Sequence, residues 1–126
     1  MNNLKDIFEL TENILPPNYK KVIFFCEVEE TAYEIFYYAY MNDDICKQCY
    51  EMAEEGIIDE SVLDFGFDRL ADFIRKCSSF DPISRNVITL IIDGINEEVN
   101  SIEKYNKKES LYKIKKDWKL KNLRLV

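Results

Sequence analysis

The chain has 126 residues with 24 acids, 17 bases and no histidine, giving a net charge of −7 with 47% apolar and 33% charged residues. That balance describes one globular domain with a core of its own and excludes a disordered chain. The charge is segregated: residues 1–60 hold 14 acids and 4 bases, residues 61–100 hold 7 and 4, and residues 101–126 hold 3 and 9. A predominantly negative field repels nucleic acid and anionic membranes and suits a basic protein partner. No charged-then-apolar leader and no run of about 18 apolar residues is present, so a cytoplasmic chain is expected.

Residues 3–15 read as an amphipathic helix, with Leu4, Ile7, Phe8, Thr11, Ile14 and Leu15 at helical spacing. Pro16-Pro17-Asn18 stops it, because proline has no amide to donate and restricts the residue before it. Val22–Glu29 and Tyr33–Tyr40, rich in aromatic and β-branched residues, predict an antiparallel hairpin. A link centred on Glu30-Thr31 pairs Val28 with Tyr33, Cys26 with Ile35, Phe24 with Tyr37 and Val22 with Ala39, an apolar face for the core. The opposite face pairs Phe25 with Phe36 and Ile23 with Tyr38, and sets Glu27 against Glu34 with Glu29 alongside. Like charges so placed cost a few tenths to about 1 kcal/mol. A bulge would relieve that cost, and an exposed acidic face of functional use would justify it; the second reading is preferred.

Residues 41–58 fit either a turn or two of helix or a short third strand and loop. Asp59–Phe80 predicts a helix capped by Asp59 or Ser61, with Val62, Phe65, Arg69-Leu70, Phe73-Ile74 and Cys77 as its stripe. Gly66 inside it costs roughly 1 kcal/mol relative to alanine. Asp81-Pro82 ends the helix. Asn86–Ile92 predicts an interior strand, Asp93-Gly94 a turn and Val99–Tyr105 a partner strand. Ser110–Leu120 reads as a last helix with Leu111, Ile114 and Trp118 inward and Lys113, Lys115, Lys116 and Lys119 largely in solvent. The order predicts a single α+β domain over residues 1–126, with an antiparallel sheet of about four or five strands and helices packed against it.

Candidate chemistry is sparse. Without histidine the usual neutral-pH base and the Ser-His and Cys-His pairs are gone. Cys26, Cys46, Cys49 and Cys77 read as free, buried thiols. Cys46-Lys-Gln-Cys49 has CxxC spacing but no second pair to complete a zinc site, and a strand-to-helix setting is not expected for it. Asp43-Asp44 and Asp59-Glu60 do not match a calcium loop, and three glycines leave no phosphate-cradling loop. No catalytic residue, metal or cofactor is therefore expected. Tyr33, Tyr37, Tyr38 and Tyr40, with Phe25 and Phe36, serve sheet packing first, the remainder being interface candidates beside the acids.

The chain resembles the YezG-like immunity proteins of bacterial toxin–immunity systems. The likeness runs from Ile14-Leu15-Pro16-Pro17-Asn18-Tyr19-Lys20-Lys21-Val22 through Phe25-Cys26-Glu27-Val28 and Glu34-Ile35-Phe36-Tyr37-Tyr38. It continues in Ile58-Asp59-Glu60-Ser61, Phe67-Asp68-Arg69-Leu70, Val87-Ile88-Thr89-Leu90-Ile91-Ile92-Asp93, Tyr105 and Trp118-Lys119-Leu120-Lys121. Each motif is short, and their order carries the resemblance. Residues 43–56 and 94–98 depart from the pattern. The resemblance implies a non-enzymatic protein that binds and neutralises a cognate toxin domain, a basic protein of nuclease type. The toxin-facing surface would then draw on Glu27, Glu29, Glu30, Glu34, Phe25, Phe36, Asp43, Asp44, Glu54 and Glu55. An adaptor for another basic partner and, after it, a small carboxylate-dependent hydrolase are the alternatives. The oligomeric state is left open, a monomer included.

Overall fold

The structure, a computed structural model, describes residues 4–95, 98–105 and 110–123. Helix α1 (Leu4–Thr11) runs into a 3₁₀ turn (Glu12–Ile14), followed by strands β1 (Tyr19–Val28), β2 (Tyr33–Met41) and β3 (Cys46–Gln48). Helices α2 (Cys49–Glu54) and α3 (Glu60–Arg75), strands β4 (Asn86–Asp93) and β5 (Glu98–Tyr105), and helix α4 (Leu111–Asn122) complete the α+β fold. The five strands form one antiparallel sheet in the order β3-β2-β1-β4-β5. The hairpin register is the one that the alternation predicts, from Val28 opposite Tyr33 to Val22 opposite Ala39, with Glu27 directly opposite Glu34. No bulge separates those two acids; the irregularity lies at the far end, between Tyr19 and Lys21.

Residues 41–58 contain both of the elements between which the sequence leaves a choice. Asp44, at φ 64°, turns the chain back so that Met41 N–H donates to the Ile45 carbonyl at 3.0 Å, and β3 follows. Gln48 then caps α2: its side chain accepts from the Tyr50 amide at 2.7 Å, while Glu51 accepts from the Gln48 amide at 3.3 Å. Gly56, at φ +78°, closes the helix, its N–H donating to Ala53 O and that of Ile57 to Met52 O. That pattern of bonds needs a left-handed residue, which glycine supplies without steric cost.

Asp59 caps α3 by accepting from the Ser61 and Val62 amides at 2.8 and 3.3 Å. The helix ends at Arg75, not Phe80. The Arg75 guanidinium donates to the carbonyls of Glu29 and Ala32 at 2.9 and 3.1 Å, which pins the helix end to the β1–β2 turn. Beyond it Ser78 and Ser79 favour turns over helix, and the chain drops into β4 through buried Asn86. The Asn86 amide donates to the carbonyls of Val28 and Asp81 at 3.0 and 2.9 Å, and its oxygen accepts from Asp81 N–H at 3.0 Å.

Successive strand residues point to opposite faces of a sheet. Phe24 and Tyr37 face α3, where Phe67 meets both rings edge-on at 6.3 Å. Phe25 and Phe36 face α4, where Trp118 meets them edge-on at 5.4 and 5.9 Å. The sheet is thus covered on both sides. The buried side of α3 is Leu63, Gly66, Phe67, Leu70, Ala71 and Ile74. Val62 and Phe65, expected in that stripe, are 44% and 64% exposed.

Gly66 sets this rotation. A Cβ there would lie 2.4 Å from Ile14 Cγ2, and Ile14 is held in turn because its carbonyl accepts from the Tyr37 hydroxyl at 2.5 Å. The helix penalty of glycine is offset by close packing of the 3₁₀ turn against α3. Gly66→Ala is therefore expected to destabilise by roughly 1–2 kcal/mol, overpacking outweighing the gain in helix propensity. Chemical denaturation of the two proteins checks the sign; a stabilised variant would contradict this packing.

Candidate binding surface

The sheet face carrying Phe25, Phe36, Glu27 and Glu34 does not form an open acidic surface, as the sequence had suggested. Phe25 is fully buried, Phe36 is 7% exposed and Glu27 is 3% exposed, because α4 lies across them. Trp118 anchors α4, its Nε1–H donating to Thr89 Oγ1 at 2.7 Å in the buried interior. Lys115 Nζ reaches Glu34 Oε2 at 2.8 Å, and Lys119 Nζ lies 6.0 Å from the centre of the Tyr38 ring. These two lysines, expected in solvent, are half-buried; Lys113 and Lys116 are exposed as predicted. The basic C-terminal segment is folded onto the acidic face, and part of the charge asymmetry is satisfied within the molecule.

Glu27 carries the cost of this arrangement. Burial pushes its carboxyl up to about 7, with Glu29 and Glu34 adding to the rise and Arg85 opposing it. Arg85 Nε stands 3.7 Å from Glu27 Oε1, and Glu27 Oε2 has no hydrogen-bond partner among the described residues.

The remaining predicted contacts divide. Asp44 pairs with Lys20 at 2.9 Å and Glu55 with Lys47 at 2.8 Å. Asp43 is exposed and accepts from the Ile45 amide at 3.2 Å. Glu29, Glu30 and Glu54 are exposed, with no base paired to them among the described residues.

Among the described residues, one acidic surface that stays open is the outer side of α3. Glu60, Asp64 and Asp68, each four residues from the next, form one exposed row, since that spacing stacks side chains on a helix face. Exposed Phe65 stands beside the row with Arg69 stacked over its ring at 5.9 Å, and a shallow depression is lined by Glu60, Ser61, Asp64, Phe65 and Asp68. Two phenols, Tyr33 of β2 and Tyr50 of α2, reach the carboxylates. The Tyr33 hydroxyl donates to Asp68 Oδ1, and the Tyr50 hydroxyl donates to Asp64 Oδ1 at 3.5 Å. Burial raises both phenols, Tyr50 up to about 12, so they stay protonated as donors. Through Tyr33 and the Arg75 tether, the row adjoins the β1–β2 turn and its exposed Glu29 and Glu30. The four-residue acidic spacing was readable in the sequence; taking Phe65 for core hid it.

The CxxC pair does span a strand-to-helix junction, contrary to expectation: Cys46 lies in β3 and Cys49 opens α2. Cys49 is nonetheless buried, its Sγ accepting from the Tyr37 amide at 3.5 Å, and burial pushes its thiol up to about 11. Burial raises Cys46 and Cys26 as well. All four cysteines are free thiols, and the three with raised values carry little thiolate at neutral pH. Among the described residues no cluster of three or more acids or cysteines is arranged to hold a metal, and no helix is long and apolar enough to cross a membrane.

The raised Glu27 carboxyl gives stability a definite pH dependence. The folded chain keeps this proton up to about pH 7, whereas the unfolded chain releases it near 4.5. Folding therefore loses stability from this group as pH rises between those values. Glu27→Gln is expected to gain about 1–2 kcal/mol over the parent at pH 8, allowing for solvent screening, and little at pH 4. Urea titrations at the two pH values check it; an equal offset at both would remove Glu27 as the cause. No protein-family model and no curated protein matches the chain.

Proposed function

We propose that the protein is an immunity protein of the YezG-like type, acting in the cytoplasm by binding and neutralising a cognate toxin of nuclease type, without catalysis or cofactor. The observation that carries the binding part is the exposed row Glu60, Asp64 and Asp68 beside exposed Phe65, continued by Glu29 and Glu30. An aromatic anchor within a carboxylate field suits a basic protein, the ring supplying contact and the acids steering the encounter. A nuclease grips phosphate with a basic groove, and such a surface competes for that groove in place of substrate. The toxin as partner rests on the ordered motifs from Ile14-Leu15-Pro16-Pro17 to Trp118-Lys119-Leu120-Lys121. Direct contact with nucleic acid or an anionic membrane is disfavoured by the net charge of −7.

The test is co-expression with the toxin encoded next to this chain, followed by association kinetics on the purified pair. Protection and a stable complex are expected. Glu60→Lys with Asp64→Lys should slow association at least about tenfold and flatten its salt dependence, with dissociation much less affected. Neither protection nor a complex would refute the immunity reading. A complex whose association rate ignores the double substitution would move the contact off α3.

A further inference from the structure

The molecule presents opposite charges on opposite sides of its sheet, and each side also exposes large apolar groups. On the α3 side, residues 49–75 contain eight acids and two bases, with Phe65 64% and Val62 44% exposed. On the α4 side, residues 111–122 contain five lysines and one aspartate; Lys115 is taken up by Glu34 and Lys113 by Asp117, while Lys116 stands exposed between Tyr112 and Leu120, 75% and 46% exposed. Tyr112, Lys116 and Leu120 repeat every four residues and form one outward row on α4, as Glu60, Asp64 and Asp68 do on α3. The two helices cannot satisfy each other within one chain, because the sheet stands between them. Phe67 of α3 packs on Phe24 and Tyr37, whereas Trp118 of α4 packs on Phe25 and Phe36 from the other side.

We infer that the occupant of the α3 face, in the absence of another partner, is the α4 face of a second copy of this chain. One row is acidic around a phenylalanine, the other basic between a tyrosine and a leucine, so both charge and apolar contact are complementary. The shallow depression lined by Glu60, Asp64, Phe65 and Asp68 receives Lys116 with Tyr112 and Leu120 at its margins. Because the two surfaces differ, the contact is head-to-tail, and it propagates to short oligomers instead of stopping at a symmetric dimer. A partner arriving at α3 must displace the neighbouring copy, so self-association competes with capture of any basic protein there. The inference stands whether or not that protein is a toxin.

Sedimentation of the purified chain alone, across concentration at about 50 and about 500 mM salt, provides the test. Average mass should rise with concentration at low salt, and the apparent dissociation constant should weaken at least about tenfold at high salt. Glu60→Lys with Asp64→Lys removes the acidic face, and Tyr112→Ser with Lys116→Glu removes the basic one. Each double variant alone should sediment as a monomer, and an equimolar mixture should form a 1:1 complex through the two intact faces. Fluorescence of Trp118 confirms that both variants are folded. A parent that stays monomeric at low salt, variants that associate like the parent, or a mixture that gives no complex would each overturn the inference.

Discussion

Seven consecutive residues of β1, Val22 to Val28, are buried, and most of the molecule follows from that constraint. A strand buried on both faces needs a layer on each side and a neighbour on each edge. On one side α3, with the 3₁₀ turn wedged against Gly66, supplies the layer; on the other α4 supplies it through Trp118. On the edges β2 and β4 supply the pairing, and both are apolar for the same reason. The one carboxylate in the run, Glu27, is carried into the interior by its register. It holds its proton to about pH 7 because the strand leaves it no other place.

The same constraint decides which acids meet solvent. With its aromatic and acidic sheet faces both covered, the molecule offers acids to solvent from the β1–β2 turn and from the outside of its helices. α3 does so with carboxylates oriented from beneath by Tyr33 and Tyr50, themselves fixed by the sheet and by α2. Rigid elements thus hold the groups that meet solvent, which lowers the entropy lost on binding. The basic segment divides its own lysines in a like manner: Lys115 turns inward to Glu34 while Lys116 turns out.

Local pattern made much of the fold legible. Alternation, together with a link centred on Glu30-Thr31, specified every pair of the β1–β2 register from Val22 to Val28, because a slip of one residue would have exchanged the two faces. The start of α3 was placed at Asp59 or Ser61 and that of α4 at Ser110, and the caps are Asp59 and Ser110. What stayed hidden was coverage. That the second face of the hairpin lies under α4 depends on a contact between Phe25 and Trp118, which no short window of sequence contains. The end of α3 was concealed likewise, since it is set by Arg75 reaching the Glu29 and Ala32 carbonyls across the fold. The helix rotation hinged on Gly66: read locally it is a weak point, and only its distance to Ile14 shows it to be a socket.

The pairing of β1 with β4 also imposes an order of events during synthesis. Val28 meets Asn86, and Lys21 meets Asp93, so the second edge of the middle strand waits for residues made long after it. Until β4 emerges, β1 paired with β2 still has one open edge, with Phe25 and Phe36 uncovered above it. Such an edge is a template for wrong pairing with other chains. Glu27 and Glu34, side by side and unshielded at that stage, put like charges on every copy of the hairpin and oppose stacking between them.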